Sequence, residues 1–250
     1  MTKYRHDSVV PFRDSELGKK EQVADMFDRI AFRYDFLNRF LSGGIDLYWR
    51  KRAIRELQAL HPSSVLDVAS GTGDMAILMV KYLKPESIIG IDISEGMLEI
   101  GRKKIAKLKL KEHVQLQRGD SEAINFPDNT FEAITVAFGV RNFEHLENGL
   151  EEMLRVLKPG GKLVVLEFSK PRKTGFEKLY NVYCRLIAAN IGKLVSNNRE
   201  AYQYLNESVR AFPEGDEFIG ILTKTGFTNT YQKTLTTGIC SIYCGSKKFT

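Results

Sequence analysis

Val65-Leu66-Asp67-Val68-Ala69-Ser70-Gly71-Thr72-Gly73-Asp74 decides the fold. A short apolar run ends in Gly-x-Gly, and a helical pattern, Asp74 to Leu83, follows it: strand, tight turn, helix. The same alternation repeats toward the C-terminus. Ile88 to Ile93 reads as a strand and Glu95 to Lys107 as a helix. Val114 to Gln117 and Phe131 to Phe138 read as strands, and Glu144 to Leu157 as a helix. Gly160-Gly161 then turns the chain into a fifth strand, Lys162 to Phe168. Strands alternating with helices imply βαβ units, and right-handed crossovers put helices on both faces of a parallel sheet. Gly226 to Leu235 and Gly238 to Gly245 are two more strand-like runs, linked at Thr236-Thr237. So short a link makes them antiparallel, because a parallel crossover needs about a dozen residues. The expected fold is α/β: a doubly wound, mostly parallel, seven-stranded sheet with an antiparallel C-terminal hairpin at one edge. Ahead of it, Leu17 to Arg33 and Asp46 to Leu60 read as helices around a Ser42-Gly43-Gly44 turn, preceded by a flexible arm over Met1 to Ser15.

Composition agrees with one globular domain. The 250 residues are 43% hydrophobic and 27% charged, with a net charge of +6. These values exclude a disordered tail, a collagen and a disulfide-stapled mini-domain. The cysteines are Cys184, Cys240 and Cys244, an odd and sparse set that points to reduced thiols. The first residues lack the apolar stretch of a signal peptide, and no run has the length of a membrane span. A cytoplasmic protein is expected.

Two ligands suit a glycine loop at the carboxyl end of the first strand: a dinucleotide, or the sulfonium nucleoside S-adenosylmethionine. A pyrophosphate needs a bare, positive helix N-terminus. Here Asp74 stands at that N-terminus and Asp67 just upstream. Such carboxylates repel a diphosphate and suit a cation. Asp92 ends the second strand, placed to accept hydrogen bonds from ribose hydroxyls. Arg118-Gly119-Asp120-Ser121 ends the third, where Asp120 meets an adenine amino group and the Ser121 backbone meets the ring.

The run from Asp67 to Asp74, with Asp92 and Gly119-Asp120, resembles the class I S-adenosylmethionine-dependent methyltransferases, whose sheet is Rossmann-like. Tyr34-Asp35-Phe36-Leu37-Asn38, with Ser42 and Trp49, resembles the first signature of the UbiE/MenG family. Arg155 to Leu163, continuing through Glu167-Phe168-Ser169, resembles its second. Phe138-Gly139-Val140-Arg141-Asn142 and the stretch from Ala201 to Pro213 are similar to further family segments. The resemblance runs from about Phe12 to the C-terminus, as a single methyltransferase domain over 16–250. Residues 16–60 would be helices covering the site, 63–169 the donor-binding core, and 170–250 the substrate-side helices and hairpin. The departures are Asp46 in place of His, Asn206 in place of Pro, and Ala137 in place of Ser. All concern the substrate side.

The resemblance implies an enzyme that C-methylates a demethylated quinol, in the menaquinone pathway by the chain's bacterial look. It implies S-adenosylmethionine as donor, bound by Asp67, Ala69, Gly71, Thr72, Gly73, Asp92, Ile93, Asp120 and Ser121. Arg141, Asn142 and Tyr34 are the candidate catalytic residues. Arg141 would stabilise a phenolate, Asn142 would hold an oxygen or a water, and Tyr34 would come over the site from the helices. The four histidines have no ligand spacing, so no metal is expected. The partner implied is a polyprenylated quinol, with peripheral contact at the inner membrane face and no nucleic acid; the oligomeric state, homodimer included, stays open. The apolar stripe from Phe176 to Val195 reads as packing or as a greasy lid for the tail. The basic run Arg102, Lys103, Lys104, Lys107, Lys109 and Lys111 reads as a solvated face or a contact for anionic lipid. Cys240 and Cys244 fall on one face of a strand and read as core. The other readings are the ubiquinone precursor or another small acceptor, or a non-catalytic nucleotide-binding module.

Overall fold

A computed structural model describes residues 4–170 and 199–249. The Phe176 to Val195 stripe and Cys184 lie outside the described residues. The sheet contains β1 (Ser64–Val68), β2 (Ser87–Asp92), β3 (Val114–Arg118), β4 (Phe131–Ala137), β5 (Leu157–Phe168), β6 (Thr228–Leu235) and β7 (Cys240–Ser246). Their order is β3-β2-β1-β4-β5-β7-β6. The first five strands are parallel, and β7 pairs antiparallel with both β5 and β6. The hairpin therefore joins the sheet through its second strand. Thr236 and Thr237, both with positive φ, make its tight link.

Alternation along the strands sorts side chains between two cores. Leu66, Val68, Ile134, Val136, Leu163, Val165 and Tyr243 pack under α5 (Leu146–Val156) and, after α6 (Arg199–Ala211), under α7 (Asp216–Thr225). Val65, Ala133, Val164, Leu166, Cys240 and Cys244 face the opposite way, under α2 (Ile45–Arg55), α3 (Asp74–Tyr82) and α4 (Glu95–Lys107). Both cysteines are fully buried, and burial pushes both thiols up, Cys244 to about 11.

Three features differ from the sequence expectation. First, α1 runs Lys19–Ser42, well beyond Arg33, because no glycine or proline interrupts it before Gly43-Gly44. Tyr34 thus lies on the helix rather than after it. Second, β5 begins at Leu157, and a register irregularity opposite Phe131–Ala133 absorbs Gly160-Gly161 within the strand. Third, the segment expected as a flexible arm is packed from Tyr4 onward. His6 is fully buried against Phe212, its ring pushed down to about 3 by burial and by Lys19. Tyr4 Oη donates to Glu147 at 2.7 Å, and Lys19 Nζ to the His6 carbonyl at 2.6 Å.

The basic run on α4 is also not one face. Lys104 turns inward to Asp35, Asp74 and Thr72, and Arg102 pairs with Glu95. No helix of the described residues is long and apolar enough to cross a membrane.

Phe218 on α7 is fully buried, with its ring 5.2 Å from Phe212 and 4.8 Å from Tyr243. Phe218→Ala should cost about 3–5 kcal/mol of unfolding free energy in urea titration. A loss below about 1 kcal/mol would show that α7 is not an integral part of this core.

Candidate active site

The carboxyl ends of β1 to β4 meet in one place. After β1 the chain takes left-handed φ at Ala69 (53°), Gly71 (54°) and Gly73 (77°), folding the loop back above the strand. A Cβ on Gly71 would meet only Met97 Cε at 3.9 Å, so the space before it is open. The β4 end takes the same turn at Phe138 (φ 62°). Gly139 then lets it touch the β1 loop: a Cβ there would fall 2.5 Å from Ala69 Cβ.

Two adjoining cavities result. The larger runs from Ala69, Gly71 and Asp92 past Ile93, Asp120 and Ser121 to Phe138 and Asn142, under Lys20, Phe27 and Tyr34 of α1. The smaller lies behind the glycine loop and is lined by Asp67, Thr72 and Asp74, with Tyr34 and Ala69 among the shared residues. Most of the residues singled out in the sequence thus come together. Gly73 and Arg141 line neither cavity. Gly73 caps α3 and faces Leu116.

Asp92 accepts from the Gly71 amide at 2.8 Å and the Ser94 amide at 2.9 Å, locking the β1 and β2 loops together. Burial, aided by Asp28, nevertheless pushes its carboxyl up to about 6. Asp67 is held by Thr135 Oγ1 at 2.6 Å, and burial takes it to about 7 despite that bond and the Arg50 charge. Asp74 goes the other way. Burial opposes its charge, but Lys104 and Arg50, with bonds from Lys104 and Arg39, keep it below the usual carboxylate range. The N-terminus of α3 is therefore already occupied by an anion, which disfavours a phosphate there. Asp120 has one oxygen on Lys20 Nζ at 2.6 Å and the other on the Glu122 amide at 2.9 Å.

At the Phe138–Asn142 end, Asn142 Oδ1 accepts from Tyr204 Oη at 3.1 Å, and its Nδ2 donates to the Phe138 carbonyl at 3.5 Å, which leaves one amide hydrogen. Arg141 points into the protein. Its Nη1 donates to Glu167 Oε1 at 2.8 Å and to the Phe138 carbonyl at 2.6 Å, with both side chains buried. Burial holds Glu167 above its ordinary value even beside the guanidinium. In this geometry Arg141 shapes the Phe138–Asn142 turn from beneath.

The sequence did not single out Arg50, Lys104 as an inward-facing group or Thr135, and it offered Tyr204 only as part of the Ala201 to Pro213 stretch. Arg50 carried one legible signal: it shares the apolar stripe of α2 with Trp49, Ala53 and Ile54, where a charge is out of place. The other three depend on partners distant in sequence. Asp46, one of the departures, accepts from Ser42 Oγ at 2.8 Å and lines neither cavity. Ala137 lines both. Among the described residues, no group of three or more His, Cys, Asp or Glu side chains is placed to hold a metal.

Comparison with known proteins follows the same lines. The sequence pattern described as the ubiE/COQ5 methyltransferase family matches residues 15–247. A Bacteroides fragilis protein named demethylmenaquinone methyltransferase is 45% identical over 98% of this chain and 99% of its own. A Geobacter sulfurreducens protein named ubiquinone/menaquinone biosynthesis C-methyltransferase UbiE is 45% identical over 96% of this chain and 93% of its own. Among solved structures, a putative S-adenosyl-L-methionine-dependent methyltransferase from Methanococcus maripaludis aligns with a TM-score of 0.63 at 20% identity, covering 96% of this chain and 98% of that one. At that identity the likeness speaks for the fold.

Removing Arg141 strands a buried carboxylate. Arg141→Ala should therefore lose about 3–5 kcal/mol of unfolding free energy, and Arg141→Met with Glu167→Gln should regain most of it. An Arg141→Ala protein as stable as wild type in urea would deny the pair this role and return Arg141 to the acceptor side.

Proposed function

The chain belongs to the ubiE/COQ5 methyltransferase family, and on that premise we propose that it methylates a ring carbon of demethylmenaquinol with S-adenosylmethionine as donor. One observation supports this reading above the rest. A polar subsite at Gly71 and Asp92 opens directly into an apolar chamber walled by Phe27, Phe138 and Phe143, with Asn142 at its far side. The first suits a nucleoside and the second a flat, greasy ring. The relatives' names supply the pathway: one is named for demethylmenaquinone alone and one for both quinones.

The residues present fit the donor. Asp92 keeps lone pairs for ribose hydroxyls beyond its two backbone bonds. Open space faces Gly71, and Ile93 and Ser121 supply walls for a planar base. When bound, S-adenosylmethionine supplies an electrophilic methyl group. The protein's part is alignment, exclusion of water and control of charge on the acceptor. The apolar walls orient the ring. Asn142 Nδ2 donates to the acceptor oxygen and favours the phenolate, whose charge the ring carbon draws on as it attacks. Tyr204 keeps the amide in that orientation, and Arg141 with Glu167 fixes the turn carrying it. Tyr34, lining both cavities, spans the junction of donor and acceptor. Within this reading residues 16–250 work as one methyltransferase domain. The chain meets its polyprenylated substrate from the cytoplasm at the inner membrane face.

The direct test is methyl transfer from labelled donor to demethylmenaquinol and to the ubiquinone precursor in parallel. Transfer to demethylmenaquinol at the higher kcat/KM is expected. Preference for the benzenoid precursor would move the chain to the other branch, and transfer to neither would end the quinol reading.

The raised carboxyls yield a pH prediction. Asp67 and Asp92 titrate near 7 and 6 in the fold, against about 3.9 unfolded. Their contribution to stability is thus fully present below about pH 4 and is lost as pH rises through about 6 to 7. A ligand that donates to their ionised forms relieves that loss. Stabilisation by S-adenosylhomocysteine in thermal melts should accordingly be larger near pH 7.5 than near pH 5.5. An equal shift at both would separate these carboxylates from the donor.

A further inference from the structure

The two helical layers of the sheet differ in charge and in what they expose. α2, α3 and α4 carry nine basic and four acidic residues, whereas α5 and α7 carry two basic and five acidic ones. On the acidic layer both cations are paired, Arg155 with Glu152 and Asp128 and Lys224 with Glu147. On the basic layer Lys51, Arg55, Lys81, Lys103 and Lys107 are exposed, and among the described residues none of them forms an ion pair. The same layer leaves large apolar side chains in water. Ile45 and Tyr48 on α2, Tyr82 at the end of α3 and Leu108 just past α4 are between 37% and 52% exposed, and α5 and α7 expose none. α1 packs on α4, with Ala31 against Gly96, and leaves Phe32 beside that contact 92% exposed. Single exposed apolar side chains are ordinary; here they share a face with the unpaired cations.

α2 shows the arrangement most plainly. Ile45, Tyr48, Arg52 and Arg55 follow one another at helical spacing and form one outer stripe, apolar toward α1 and basic toward β1. The single acid of that helix, Asp46, is buried on the other side. Such a face suits the interface of an anionic bilayer. Ammonium and guanidinium groups meet the lipid phosphates, while rings and aliphatic tips enter between the headgroups. Nucleic acid fits less well. Sequence-tolerant binding of a strand needs open aromatic faces on which bases stack. Here the Tyr82 ring already has Lys51 Nζ at 5.6 Å and Lys81 Nζ at 5.7 Å from its centre, and Ile45 and Leu108 have no ring to offer.

We propose that the outer face of α2, α3 and α4 docks the protein on a bilayer rich in anionic phospholipid. The opposed charge of the two layers orients the approach. α1, which covers both cavities, joins α2 at the rim of that face through Gly43-Gly44, so docking brings the corner of the cover to the lipid. The inference rests on the quinol reading above for the substrate's place in the bilayer, and it names the surface that meets it.

Co-sedimentation of the full chain with vesicles tests the surface. The wild type should bind phosphatidylcholine vesicles containing phosphatidylglycerol, should ignore phosphatidylcholine alone, and should be largely released by high salt. Lys51→Gln with Arg55→Gln and Lys103→Gln should weaken partitioning roughly 100-fold, about fivefold for each charge. Lys51→Gln alone should lose about fivefold, and it carries the test if the triple variant does not fold. Arg13→Gln with Arg210→Gln and Lys224→Gln, an equal change of charge on exposed residues away from this face, should cost less than about threefold. A wild type that does not bind the anionic vesicles, equal loss in the two triple variants, or tighter capture by single-stranded RNA than by the vesicles overturns the proposal. Methyl transfer separates it from the quinol reading. The Lys51, Arg55 and Lys103 variant should keep the wild-type rate on a short-tailed, water-soluble demethylmenaquinol and lose rate on the long-tailed quinol in vesicles. Equal loss on both substrates overturns the docking role. A wild type that binds the vesicles yet methylates neither quinol ends the quinol reading and leaves the lipid surface standing.

Discussion

Asp92 holds two loops with one carboxylate: the Gly71 amide on one oxygen and the Ser94 amide on the other. The rest of the site depends on this contact. It sets the height of the glycine loop above β1 relative to the end of β2. It thereby sets where a ligand touching both can sit. The arrangement costs the fold, since burial and Asp28 push the carboxyl up to about 6.

α1 then closes the top. It lies across the ends of β1, β2 and β3 and is tied to the loop after each. Lys20 reaches Asp120, Asp28 reaches Ser94 and the Gly96 amide, Asp35 reaches Thr72, and Arg39 reaches Asp74. These are polar links at partly exposed positions, individually weak and screened by salt. In the reading proposed above, a cover held this way would exclude water from the transfer step. Such covers commonly set the pace of turnover.

The opposite side of the larger cavity is built from buried pairing. Arg141 and Glu167 come from the β4 loop and the end of β5, and their ion pair fixes the backbone that presents Asn142. Tyr204, from α6, fixes the amide itself. A buried pair of this sort adds little net stability over an apolar pair but ties the turn to one geometry. The chamber thus combines a lid held by partly exposed polar links with a floor held by a buried ion pair, separated by aromatic walls.

Much of this was legible in the residues alone. Strand–glycine–helix texture, alternation along β1, β4 and β5, and the short Thr236-Thr237 link determined the doubly wound sheet and its hairpin. Such signals are local, and each needs only neighbours within a turn or a strand. The acidic positions Asp67 and Asp74 argued for a cationic ligand over a diphosphate. What the tertiary structure alone decided is the direction in which polar side chains point. Arg141 follows directly after a ligand-bearing strand end, yet Glu167, distant in sequence, turns it inward. Lys104 belongs to a basic run, yet Asp35 and Asp74 draw it to the glycine loop. Arg50 precedes the first strand altogether, yet the packing of α2 delivers it behind that loop. Long charged side chains have several rotamers and no periodicity of their own. Their orientation is settled by partners that only the folded chain brings within reach.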